Sequence, residues 1–338
     1  MNKCVYVGFA FDHHKGTHAG YNQIRDYISY DYIIDCQSYF DSFFKFKPHG
    51  FFSFVWYKIC CVLFNFAKFP TFLLKYWWLG LTHRNLTFHF IYGESLFLPF
   101  GRYVGWGNRI VCTIHQPLEV LDRWKLSKNL NKADTLILVS DVELCKFKDR
   151  TNKENVIFIP HGISTNFYHP VREIEKEKLI LTVGDWLRDY SFANMVFQDI
   201  LKKDKNVRIV VVSLPRNLCK LKINDDRFEF LSGITDEELR SLYLRSSVLF
   251  LPLIRYTANN SLLEAASCGC NIIIASDHPD NSYIPSRFVS LIPMNVDEAV
   301  NTILHSYKYD YNLELSDFVR QNYSWEKVGR VTEKILRK

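Results

Sequence analysis

The richest set of chemically useful residues lies between Pro252 and Asp277, PLIRYTANNSLLEAASCGCNIIIASD. Leu249-Phe250-Leu251-Pro252 is apolar and stopped by proline, the pattern of a buried strand reaching its end. The polar loop 254–260 supplies helix-capping side chains, so Asn260 or Ser261 is expected to be the N-cap of a helix through Leu262-Leu263-Glu264-Ala265-Ala266. Gly269 closes that helix, and Asn271-Ile-Ile-Ile-Ala275 reads as a strand buried on both faces. A helix opening at the carboxyl end of a parallel strand offers unpaired N–H groups and a positive dipole end to a phosphate. Glu264 lies about one turn further on and shares that face, where its carboxylate can accept hydrogen bonds from the vicinal hydroxyls of a ribose. Together the two features describe a nucleotide-sugar site. A glutamate that only stabilises its own helix dipole would carry the same local pattern.

Two further residues sit where parallel α/β folds place chemistry. The strand 109–114, RIVCTI, runs straight into His115-Gln-Pro117, and a histidine at such a strand end can donate to a sugar hydroxyl or stabilise developing charge. Its plain alternative is a solvated loop histidine. Arg188 follows the strand 179–184 and could reach a phosphate, or be an ordinary surface arginine. His13, His14 and His18 stand near Asp12 in the loop FDHHKGTHAG, yet their spacing matches no standard zinc pattern, so no metal site is assigned. Gly16 and Gly20 would instead let that loop's backbone approach a ligand. GxGxxG is absent, which leaves a dinucleotide fingerprint unsupported.

The elements that must position these residues repeat a strand–loop–helix order. Residues 3–8 form a first strand and 21–30 a short helix; strands follow at 88–92, 109–114, 134–140 and 156–160. The charged segment 171–178 reads as a linker. The pattern then restarts with a strand at 179–184, a helix at 192–203 and a strand at 207–213. Thr235-Asp-Glu-Glu238 is a capping box opening a helix that ends near Ser246, and 297–338 reads as terminal helices. The fold class expected is α/β, with two successive Rossmann-like, doubly wound domains facing one cleft. A length of 338 residues gives each domain a full core.

The formal charge of +6, with no dense Lys/Arg tract, suits anionic substrates or an anionic membrane surface better than nucleic acid, so no nucleic-acid partner is expected. Nine cysteines without paired CxxC spacing, and no signal peptide at the N-terminus, point to free thiols in a reducing cytoplasm. The stretch 43–81 is dominated by aromatic and aliphatic residues and interrupted by Lys45, Lys47, Lys58, Lys68 and Lys75, with no uncharged run long enough to span a bilayer. It reads either as helices covering a sheet or as an interfacial surface whose aromatics enter lipid while lysines meet headgroups. Trp77-Trp78 beside Lys75 tilts the reading toward the membrane surface, at the inner face of a membrane.

Several blocks, in order, resemble the GT-B glycosyltransferases of the large retaining family 4. They are Val139-Ser140 with Ile159-Pro160-His161-Gly162-Ile163 through Phe167 and Pro170; Leu181-Thr-Val-Gly184 with Arg188; Gly233 with Thr235-Asp-Glu-Glu-Leu239 and Tyr243; Leu263-Glu264-Ala265-Ala266 with Cys268-Gly269; and Tyr323-Ser-Trp325-Glu326. They cover most of 139–330, while the first 110 residues match only loosely. The resemblance implies an acceptor-side domain over 1–170, a nucleotide-sugar-binding domain over 171–315 and a C-terminal helix, 316–338, packing back on the first.

By the same resemblance Glu264 would hold the donor ribose, Asn260, Ser261 and Gly184 would lie at the diphosphate, and Arg188 would neutralise it. His115 would stand near the donor sugar, and Gly20 would approach the phosphates. The reaction would retain anomeric configuration, with the leaving phosphate as base and with neither metal nor cofactor. The donor would be a UDP- or GDP-sugar and the acceptor a glycan, lipid-linked by inference from the aromatic-basic stretch. Three departures stand out: Tyr256 occupies the donor-site position of the first glutamate of the paired motif, the lysine after the arginine is absent, and Ser213-Leu214-Pro215 replaces the usual glycine. They keep two alternatives open: a non-catalytic, glycosyltransferase-like partner subunit, and a GT-B nucleotide-sugar epimerase.

Overall fold

The computed structural model describes residues 2–37, 69–99, 101, 107–151, 154–255, 259–277 and 283–338. Residues 43–68 of the aromatic-basic stretch, with Lys45, Lys47, Lys58 and Lys68, lie outside them, as does Tyr256. The chain divides into two units, one of 1–16, 20–160 and 328–338, the other of 17–19 and 161–327.

The first unit is built on six parallel strands: β1 (Lys3–Gly8), β2 (Tyr32–Asp35), β3 (Leu86–Phe90), β4 (Arg109–Ile114), β5 (Thr135–Leu138) and β6 (Val156–Phe158), in the order β2-β1-β3-β4-β5-β6. Its α-helices among the described residues are α1 (Phe69–Thr82), α2 (Gly93–Leu96), α3 (Leu118–Arg123) and α4 (Leu144–Thr151). The inner strands read as β-branched and aromatic runs because both faces are covered; all of β3, LTFHF, is buried. The strand order reverses between β1 and β3, which puts the switch point at the carboxyl ends of those two strands, with β4 next to β3. Residues 21–30, expected as a helix, contain a 3-10 turn over Tyr21–Tyr27 that starts from Gly20 at φ 96°.

The second unit repeats the plan with β7 (Glu177–Val183), β8 (Arg208–Val212), β9 (Phe228–Leu231), β10 (Ser246–Pro252), β11 (Asn271–Ala275) and β12 (Val289–Ile292), all parallel in the order β12-β11-β10-β7-β8-β9. Helices α5 (Tyr190–Lys203), α6 (Asp236–Arg245), α7 (Asn260–Ser267), α8 (Val296–His305) and α9 (Leu313–Tyr323) surround it. The reversal here falls between β7 and β10. Both faces of the sheet are packed, one by Leu179, Leu181, Leu249 and Leu251, the other by Ile180, Ile209, Val248 and Phe250. The capping box at Thr235 forms as expected, with Glu238 closing it. The segment 171–178 is not a free linker. Lys176 is buried and its Nζ donates to the Ser246 carbonyl at 2.8 Å, while Glu177 and Lys178 already belong to β7.

Helix α10 (Trp325–Leu336) closes the chain, and its residues from Val328 onward belong to the first unit, where Arg109 Nη1 donates to the Ile335 carbonyl at 2.8 Å. Trp325, by contrast, is a core residue of the second unit and packs on Gly162, where an added Cβ would lie 2.2 Å from the indole. His161 lies against the same ring, tilted to it, with centroids 5.2 Å apart. The two blocks at 159–163 and 323–326 therefore meet as packing partners. Gly162→Ala is expected to cost about 1–3 kcal/mol by overpacking, read as a lowered midpoint in thermal or urea unfolding. No helix among the described residues is long and apolar enough to cross a membrane.

Candidate functional site

At the switch point of the second sheet, β7 ends in the loop 184–189 and β10 runs through Leu253 and Ile254 toward α7. The two segments are tied together: Asp189 N–H donates to the Pro252 carbonyl at 2.9 Å, Ile254 N–H donates to that of Leu187 at 3.0 Å, and Arg188 and Leu253 form an antiparallel bridge. The loop aims Arg188 at the start of α7. Its Nη2 donates to Asn259 Oδ1 at 3.0 Å and to Ser261 Oγ at 2.9 Å, Nη1 to the Trp186 carbonyl at 2.6 Å, and Nε to that of Val183 at 3.3 Å. Gly184, at φ +110°, leaves the room this needs, because a Cβ there would meet the guanidinium carbon at 2.7 Å. Crowding by protein lowers the pKa of Arg188 below the ordinary arginine value, yet an arginine stays charged.

The N-cap of α7 is Asn259, one residue before the expected Asn260 or Ser261. Its Oδ1 accepts from Leu262 N–H and Ser261 Oγ as well as from Arg188. Leu263 N–H is taken by the Asn259 carbonyl, so among the described residues the first-turn donors remaining are the N–H groups of Asn260 and Ser261. A guanidinium, two backbone donors and the helix dipole thus converge at one end of the sheet, an arrangement that attracts an anion.

Glu264 follows one turn along α7 and is buried. Its Oε2 accepts from Tyr243 Oη at 2.8 Å, and Tyr243 is itself fully buried at the end of α6. Burial raises the Glu264 pKa to about 7, against the opposing pull of the Tyr243 hydrogen bond and the Arg188 charge. With the folded-state value above the unfolded one, the folded protein holds the proton longer. Its stabilising contribution is then full below about pH 4.5 and is lost as the pH rises through about 7. Stability should fall across that window by up to about 1.4 kcal/mol per pH unit. Denaturant unfolding at several pH values checks this, and Glu264→Gln should flatten the slope.

The first unit gathers a second cluster at its own switch point. His115 follows β4, and its backbone N–H donates to Glu94 Oε1 at 3.2 Å while ring Nδ1 lies 3.3 Å from the same oxygen. The ring is held edge-on to Tyr21 and tilted to Tyr92, both centroids 4.8 Å away. Gly20 immediately precedes Tyr21, whose N–H donates to Tyr92 Oη at 3.2 Å; a Cβ on Gly20 would come within 2.6 Å of His14 Nδ1. Next to this cluster, His89 bridges Tyr30 Oη and Thr113 Oγ1 inside the sheet, and burial lowers its pKa to about 3, so it stays neutral.

The structure therefore joins Gly184, Arg188, Asn260 and Ser261 at one helix start, sets Glu264 one turn along, and places Gly20 and His115 together in the first unit. Asn259, Tyr243 and Glu94 belong to these clusters and were not singled out from sequence as site residues. Asn259 carried a signal, being one of three successive cap formers; Glu94 carried none. His18 pairs with Asp236 at 3.1 Å and stacks on Phe167 at 3.6 Å. Among the described residues no group of three or more His, Cys, Asp or Glu side chains is placed to hold a metal ion.

Residues 177–306 match the model of the family described as Glycosyl transferases group 1. Among curated proteins, the gpi3 subunit of phosphatidylinositol N-acetylglucosaminyltransferase of Schizosaccharomyces pombe is 27% identical over 200 residues, covering 54% of this chain and 44% of the relative. The chain thus spans less than half the length of that relative. Among solved structures, a glycosyltransferase from Rickettsia africae gives a TM-score of 0.63 at 12% identity, covering 99% of this chain and 98% of its own. Sucrose-phosphate synthase from Thermosynechococcus elongatus gives 0.56 at 17% identity, covering 75% and 72%. A Staphylococcus aureus TarM variant, solved with fondaparinux, alpha-GlcNAc-glycerol and UDP, gives 0.61 at 12% identity, covering 77% and 58%. At these identities the likeness is one of fold, the GT-B fold of two Rossmann-like units.

Proposed function

We propose, from a second unit whose residues 177–306 match the model of Glycosyl transferases group 1 and from a GT-B fold, that this chain is a retaining, metal-independent glycosyltransferase. It moves a sugar from a UDP- or GDP-sugar to a glycan acceptor, lipid-linked and part of a surface polysaccharide or glycolipid. The observation that carries the reading is Arg188 held against Asn259 and Ser261 at the opening of α7. The donor diphosphate sits on that guanidinium and on the first-turn N–H groups, and Glu264 accepts from the ribose hydroxyls. When the bond from the anomeric carbon to the donor phosphate oxygen breaks, the negative charge left on the diphosphate is met by Arg188 and the helix dipole. That phosphate oxygen takes the proton of the incoming hydroxyl on the same face of the sugar, so configuration is kept. His115 is assigned to the charge that develops on the transferring sugar.

UDP stands ahead of GDP because TarM was solved with UDP, and an N-acetylhexosamine is the first sugar to try because the curated relative is a subunit of an N-acetylglucosaminyltransferase. The direct test incubates the chain with UDP- and GDP-sugars, with and without a membrane lipid extract. Nucleoside diphosphate released only with the extract, into a product of unchanged anomeric configuration, is the expected result. Turnover of donor with no acceptor would favour an epimerase. A second reading, a non-catalytic partner subunit, draws on Tyr256 at the first-glutamate position; it predicts nucleotide binding or silence, and no transfer under any condition.

A further inference from the structure

Helix α1 turns two dissimilar faces to its surroundings. On one, Tyr76 is buried edge-on against Phe88 at 4.9 Å and Phe90 at 5.5 Å, and Gly80 is buried one turn later. Asn108 Nδ2 donates to the Gly80 carbonyl at 2.8 Å and to that of His83 at 3.0 Å, which fastens the helix end to the unit. On the other face Leu74, Trp78 and Leu81 recur at the helical spacing i, i+4, i+7 and are 56%, 68% and 73% exposed. Scattered apolar side chains on a surface need no explanation, but a stripe of two leucines and a tryptophan along two turns does.

The surrounding charge identifies what covers it. Lys75 and Arg84 are exposed beside the stripe. From residue 42 to residue 93 the sequence holds six lysines and arginines and no aspartate or glutamate. A two-fold pairing of this face with a second copy would set like charges against each other. An anionic bilayer surface meets both features: tryptophan rings and leucines settle at the headgroup–acyl boundary, and basic side chains pair with lipid phosphates. We propose that α1 is an interfacial anchor through which the first unit docks on an anionic phospholipid surface, with Leu74, Trp78 and Leu81 entering it and Lys75 and Arg84 on the headgroups. This stands apart from the nucleotide binding assigned to the second unit.

Co-sedimentation of the full chain with phosphatidylcholine vesicles, with and without phosphatidylglycerol, tests it. The chain should bind the anionic vesicles, bind neutral ones weakly, and be released by salt. The double variant Trp78→Ser/Leu81→Ser should lose at least about tenfold in partitioning. Lys75→Glu/Arg84→Glu should lose the anionic preference, each basic residue being worth about fivefold. All four side chains are exposed, so unchanged thermal melting and unchanged nucleotide titration of the variants would separate a lost anchor from a lost fold. The proposal is overturned by a wild-type chain that ignores anionic vesicles, or by a double variant that binds them as wild type does. It is overturned equally if the double variant turns a dimer into a monomer and leaves vesicle binding untouched.

Discussion

Arg188→Ala is expected to lower transfer by about 10²–10³-fold and to weaken nucleoside diphosphate binding in parallel, since the same charge serves bound donor and departing diphosphate. The size follows from how the guanidinium is held. Four hydrogen bonds fix it at the opening of α7, Gly184 makes the space, and the surrounding protein strips water from it. A charge so preorganised does not have to be oriented during the reaction. Arg188→Lys should recover only part of the loss, because an ammonium is a point charge without the planar fork that spans Asn259 and Ser261. Steady-state kinetics on purified variants, beside circular dichroism to show that the helix cap Asn259–Leu262 survives, measure it. Wild-type turnover in Arg188→Ala would remove the residue from the site.

His115→Ala should show the opposite split: nucleotide affinity unchanged and transfer cut by about a hundredfold. The histidine belongs to the first unit, and the residues that take the nucleotide in this account belong to the second, so its loss falls on kcat. Its geometry supports a positioned group. Backbone and ring both face Glu94 Oε1, and Tyr21 and Tyr92 fix the plane of the ring. Glu94→Gln keeps the volume and removes the charge, so an intermediate loss there would mark Glu94 as a positioning residue for the imidazole. Equal loss of nucleotide affinity and transfer in His115→Ala would contradict the assignment.

The parts of the fold legible in sequence were those whose signal is local. β4 and β11 fall on the expected residues because their runs are apolar throughout and bounded by turn formers. The capping box at Thr235 needs only four residues to be recognised. β2, β9 and β12 escaped because they are outer strands with mixed burial; YIID, FEFL and VSLI lack both a continuous apolar run and a strict alternation. The cap of α7 was misplaced by one residue because Asn259, Asn260 and Ser261 are all competent, and the choice is made by Arg188, 71 positions away in sequence. Glu94 meets His115 only through the pairing of β3 with β4, a contact that no spacing announces. The loop FDHHKGTHAG divides between units at residues 17–19, where His18 finds Asp236 and Phe167. His18 therefore takes partners distant in sequence, which its spacing from the other histidines does not announce.

The most direct test of the central claim, that the opening of α7 takes a nucleoside diphosphate, is calorimetric titration of the chain with UDP, GDP, CDP and ADP, each with and without EDTA. The account predicts that UDP or GDP binds, that EDTA changes nothing, and that Glu264→Ala weakens binding by about 1–3 kcal/mol, the cost of removing contacts to the ribose hydroxyls. Silence across all four nucleotides, or binding that Glu264→Ala leaves untouched, would contradict it.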